Sequence, residues 1–206
     1  IAIILLLIFH LVGTVGLCFD VCFSLFQSLS PFNLLLSLFL FVWANNDFKK
    51  KFFSLFLIVA FLGYFIEVVG VQTGLLFGEY YYGNTLGLQF FDVPLILGVN
   101  WFLLAVSFHG IVSHYSSKKW LIIFVSALLM VALDLLIEPV AMHLDFWQWQ
   151  GDVVPFQNYF MWGLISAFMQ WIICKFDLKF DKSICFGLIV AQVLFFTIQT
   201  TQIGNF

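Results

Sequence analysis

Two carboxyls stand four residues apart, Asp134 and Glu138, in the otherwise apolar run 119–138. That spacing puts both on one face of a helix. Two carboxyls so close in a dry site can share a proton, which keeps an acid available at neutral pH. Pro139 follows directly and is expected to end the helix at Glu138. A third carboxyl, Glu67, lies among Gly63, Tyr64, Gly70 and Gly74, on roughly one face of its own apolar segment. Ionisable groups in such segments usually face a cavity or a bundle interior. The chemistry open to all three is proton transfer. The alternative is structural: a hydrogen-bonded carboxyl that joins helices, or a carboxylate at the water boundary.

Two connecting segments are dense in aromatic residues. Residues 67–87 read EVVGVQTGLLFGEYYYGNTLG, and residues 143–162 read HLDFWQWQGDVVPFQNYFMW. An interfacial belt would explain Trp and Tyr alone. The glycines at 63, 70, 74, 78, 83 and 87 argue for more, because they give an irregular, close-packed turn. Irregular backbone at membrane depth belongs where it lines a cavity. Interleaved polar groups, Thr73 and Asn158 among them, suit a pocket for an apolar ligand. The faces of Tyr80, Tyr82, Trp147, Trp149 and Trp162 would stabilise a cation in that pocket.

Other chemistries lack their residues. The four histidines form no i,i+3 or i,i+4 pair, and no GxSxG, phosphate loop, GxGxxG or DDxxD run is present. No metal and no cofactor are expected. Cys18, Cys22, Cys174 and Cys185 read as small apolar fillers. The repeat Asn158, Trp162, Ser166, Gln170, with Asn100 and Ser107, reads as interhelical hydrogen bonding. His109 and His114 read as interfacial.

These groups need elements to hold them. The chain has 206 residues, 63% hydrophobic and 9% charged, with a mean hydropathy of +1.08. Soluble domains carry about 25% charge. Soluble globular, disordered and nucleic-acid-binding classes are therefore excluded. Seven apolar segments are expected, at 2–26, 30–46, 51–72, 94–113, 119–138, 157–175 and 183–203. Seven crossings put all eight lysines on one face: Lys49, Lys50 and Lys51; Lys118 and Lys119; Lys175, Lys179 and Lys182. Asp47, Asp177 and Asp181 accompany them, and the other eight acids fall toward the opposite face. Cytoplasmic loops are enriched in Lys and Arg. The expectation is an all-α integral membrane protein, one domain over 1–206, a bundle of about seven transmembrane helices with a cytoplasmic N-terminus. It would be a multi-pass protein of the cell (inner) membrane, surrounded by lipid.

The order of these residues is also familiar. The run Glu67-Val-Val-Gly-Val-Gln-Thr-Gly74 is followed by Phe77-Gly78-Glu79-Tyr80-Tyr81-Tyr82, Leu86-Gly87, Val93-Pro94 and Asn100-Trp101. Later come Asp134-x-x-x-Glu138-Pro139-x-Ala141, Trp147-x-Trp149, Val154-Pro155, Asn158-Tyr159 and Trp162. Together, over about residues 60–165, they resemble the carotenoid-biosynthesis membrane family that includes carotenoid 1,2-hydratases and bisanhydrobacterioruberin hydratase. Met161 stands where that family often has Gly. The resemblance implies addition of water across the terminal 1′,2′ double bond of an acyclic carotenoid end group, giving a tertiary alcohol without a cofactor. The partners would be a lycopene- or γ-carotene-like carotenoid and water. On this reading Asp134 and Glu138 are the acid/base pair, and Glu67 activates water or tunes them. Thr73, Tyr80, Tyr82, Trp101, Trp147, Trp149, Asn158 and Trp162 bind substrate or water. A cyclase-type enzyme of the same end group and a proton-coupled transporter are the alternatives.

Overall fold

The protein is described by a computed structural model over residues 1–45 and 50–203. Among the described residues eight α-helices form in chain order: α1 (Ala2–Gly16), α2 (Asp20–Ser28), α3 (Ser30–Asn45), α4 (Lys50–Thr73), α5 (Ile96–Tyr115), α6 (Lys119–His143), α7 (Phe156–Phe176) and α8 (Lys182–Ile203). Long apolar runs become helices because a helix satisfies its own backbone hydrogen bonds where water is absent. The architecture is that of a helical membrane protein. α5 is the axis: residues 101–110 are all buried, and α3, α4, α6, α7 and α8 pack around it.

Helices α4 to α8 are each long and apolar enough to cross a membrane. The pair α2–α3 adds a sixth if counted as one span, bent by 54°. The single segment expected at 2–26 is instead two helices. The backbone opens at Phe19, Asp20 starts the new helix, and the Phe26 ring folds back onto Gly16, where a side chain would collide with it. An acid in the first turn favours that new N-terminus. With 15 residues, α1 is only about 22 Å long, short of the roughly 30 Å hydrocarbon layer. Asn46, Asp47 and Lys49, which belong to the expected second segment and first lysine cluster, lie outside the described residues.

Pro139 does not end α6, which runs on to His143. One lost backbone bond is tolerable in an apolar helix whose neighbours hold both sides. The two aromatic connections are also more regular than expected. Strand β1 (Tyr80–Tyr82) pairs antiparallel with β4 (Trp147–Trp149), and β2 (Gln89–Phe90) pairs with β3 (Val93–Pro94).

The described lysines gather at one end of the bundle, around the start of α4, the α5–α6 turn and the α7–α8 turn. The ribbons lie at the other end. The N-terminus of α1 sits at the lysine end, since Ile3 packs at Gly187 near the start of α8 while the Thr14 carbonyl accepts from Gln199 further along. Single cysteines at Ser117 and Asn84, in a cysteine-free variant, are expected to react with an impermeant label from opposite sides, Ser117 from the cytoplasm. Labelling of both from one side would reject this orientation.

Candidate active site

The β1–β4 ribbon builds the site. Its register sets Tyr80 opposite Trp149, Tyr81 opposite Gln148, and Tyr82 opposite Trp147. Side chains alternate along a strand, so Tyr80, Tyr82, Trp147 and Trp149 share the inward face while Tyr81 is exposed. Each strand serves one carboxyl. Tyr80 and Tyr82 both donate to Oε2 of Glu67 at 2.7 Å. Trp147 and Trp149 both donate their indole N–H to Oε2 of Glu138, at 2.9 and 2.7 Å. The ribbon thus ties a carboxyl on α4 to one on α6.

Two further helices complete the cradle. Trp101 of α5 donates to Oε1 of Glu67 at 2.8 Å. Asn158 of α7 donates to Oε1 of Glu138 at 3.0 Å and to Oδ2 of Asp134 at 2.9 Å. All three carboxyls are almost sealed, with Glu67 5%, Asp134 0% and Glu138 2% exposed. Glu67 and Glu138 accept three bonds apiece, whereas Oδ1 of Asp134 has no partner among the described residues. Two glycines make the approach to Glu67 possible. A Cβ on Gly63 would lie 2.5 Å from Trp101, and one on Gly70 would lie 2.6 Å from the Phe77 ring and 2.7 Å from the Tyr80 hydroxyl. Burial, then the nearby Glu67 charge, pushes the Tyr80 and Tyr82 phenols well above their ordinary value. Both therefore stay protonated donors at working pH.

Glu67 and Glu138 face a common cell of about 30 Å³, roofed by the ribbon and floored by Trp101 and Trp162. The two indoles stack at 4.1 Å. A cavity needs about 10–15 Å³ per water, so the cell has room for about two. It adjoins a chamber of about 370 Å³ with mostly apolar walls. Leu97, Asn100, Ile137 and Trp147 line both. A polar cell sized for water thus meets a chamber sized for hydrocarbon.

The family model described as "Carotenoid biosynthesis protein" matches residues 30–202. The chain belongs to the carotenoid biosynthesis protein family. A bisanhydrobacterioruberin hydratase of Haloarcula japonica is 32% identical over 130 residues, covering 58% of this chain and 43% of that protein. The chain therefore spans less than half of that relative's length. No solved structure matches. Every residue of the carboxyl cradle falls within the family-matched region, whereas α1 and α2 precede it.

The cradle brings together Glu67, Glu138, Asp134, Tyr80, Tyr82, Trp101, Trp147, Trp149, Asn158 and Trp162. Thr73 stands apart: it is exposed, and its hydroxyl binds the Val69 carbonyl. Six residues along a helix turn about 240° from the Glu67 face. Asp134 does not line the cell; Asn158 stands between them. Asn100, read from sequence as part of a polar stripe, lies at the junction of cell and chamber, a place that no spacing reveals. His109 is buried, not interfacial, and meets Oε1 of Gln170 through Nδ1 at 3.0 Å.

Proposed function

We propose that the protein is a carotenoid hydratase, adding water across the terminal double bond of an acyclic end group. One observation carries this reading: a carboxyl-walled cell with room for water shares four wall residues with an apolar chamber. A cyclase would exclude water from the reacting cation, and the polar cell suits it less. A transporter relay would spread its acids through the bundle, whereas these three converge at one end.

In the proposed reaction a carboxyl proton passes to the less substituted alkene carbon. The π pair forms the new C–H bond and leaves a tertiary cation. Water attacks that carbon, and its extra proton returns to a carboxylate, so the sum is alkene plus water. Three neighbouring buried carboxyls cannot all be ionised without a cation, and among the described residues no basic side chain lines the cell. The cluster therefore holds a proton to give. Glu138 faces the cell and is the donor. Asp134 shares Asn158 with it, and its free Oδ1 serves as a proton reserve. Glu67, held by two phenols and an indole, takes the proton from water. The ring faces around the cell stabilise the cation.

Expression in lycopene- or γ-carotene-producing cells, with mass analysis of the pigments, tests this. In deuterated water the product should carry one deuterium on the carbon beside the alcohol. Its oxygen should come from labelled water. Oxygen derived from O₂ would identify a hydroxylase and end the acid–base reading.

A further inference from the structure

The chamber is walled by α1, α2, α3, α5, α6, α8 and the two aromatic connections. Among the described residues no Lys, Asp or Glu lines it; His10, Asn33, Asn100 and Gln192 are its main polar groups. Such walls reject a carboxylate or a diphosphate and accept a neutral hydrocarbon. Its volume, about 370 Å³, lies in the range of small-ligand sites. Lining residues on α1 and near the α2–α3 bend are exposed at the outer surface of the bundle: Phe9, Val12, Leu29 and Phe32. A chain can therefore enter sideways from lipid between α1 and the bent pair. At the inner end it reaches Ile137 and Trp147, which also border the carboxyl cell.

We propose that this chamber binds one end of a neutral linear isoprenoid chain, and that α1 and α2 select which end groups enter. The proposal rests on the hydration reading for its ligand class. Its distinctive content is a division of labour. The reacting carboxyls lie inside the family-matched residues 30–202, while Phe9, Val12, Gly13, Leu17 and Phe26 of the chamber wall lie before them. Substitutions at those positions can therefore change which chains are held without touching the carboxyls.

Gly13 offers the test. It lines the chamber, and a Cβ built there meets nothing within 4 Å. Its neighbours on α1 are helical, so larger residues there improve helix propensity rather than threaten it. Purified protein in lipid nanodiscs is incubated with lycopene, and with β-carotene, whose ends are both rings. Pigment retained after gel filtration is read by absorbance, and hydration of lycopene is followed by mass. Gly13→Ala should retain lycopene like the parent. Gly13→Phe should lose retention about tenfold or more, with unchanged thermal melting. Leu36→Trp, from the opposite wall, should act in the same way and decides the matter if Gly13→Phe melts early. Glu138→Gln should keep retention while losing turnover. Wild-type retention and turnover in both filled variants would overturn the chamber while hydration stood. Gly13-dependent retention without any alcohol would overturn hydration and leave the chamber. The parent should retain lycopene in preference to β-carotene; equal retention of the two by the parent would reject end-group selection.

Discussion

Glu138→Gln is expected to lower hydration turnover by about 10²–10⁴-fold, the range of a lost general acid or base, with folded yield unchanged. Gln keeps the length of Glu and one oxygen to accept from Trp147 and Trp149. Asn158 can turn its amide to meet the new NH₂ group, provided that Asp134, which then faces the Asn158 oxygen, is protonated. What Gln cannot supply is a transferable carboxyl proton. Asp134→Asn should cost less, because Asp134 lies behind Asn158 and does not line the cell. The double variant should be little worse than Glu138→Gln alone, since residues that act as a unit are not additive. Initial rates from pigment mass analysis, beside detergent gel-filtration profiles, give both quantities. Near-parental turnover in Glu138→Gln would remove it from the reaction.

Glu67→Gln is expected to fall in the same range. From sequence, Glu67 either activates water or tunes the pair, and only the tuning role implies a smaller effect. The structure puts it on the wall of the cell, facing the same space as Glu138. Tyr80→Phe and Tyr82→Phe dissect its cradle. Each removes one hydroxyl from the same Oε2, and a hydrogen bond to a charged group contributes about 1.5–3 kcal/mol. Each should therefore cost roughly 10- to 150-fold in turnover. Both phenols lie well above their ordinary value, so their deprotonation should begin only above the usual phenol range. Turnover in the parent should then show no tyrosine-derived fall as pH approaches about 10. A Tyr80→Phe/Tyr82→Phe pair with parental rates would reduce the ribbon to packing.

Much of this site could be read along the chain because its parts obey local rules. Helical periodicity alone places Asp134 and Glu138 on one face. Apolar length and lysine spacing alone predict a bundle with its chemistry at the lysine-poor end. Aromatic and glycine density alone marks the two connections that form the site. None of these rules reaches between segments. The pairing of Glu67 with Glu138 depends on the β1–β4 register, in which a one-residue slip would turn the four donors outward. Thr73, expected from sequence to bind substrate or water, is turned away from the cell by helical rotation. The break at Phe19 and the continuation through Pro139 were decided by packing partners, the Phe26 ring at Gly16 and the Trp anchors on Glu138. The chamber is the extreme case: its walls come from α1, α2, α3, α5, α6, α8 and the two aromatic connections. Sequence reports which residues are apolar. Only the arrangement of whole helices decides where apolar surfaces fail to meet, and a cavity is that failure.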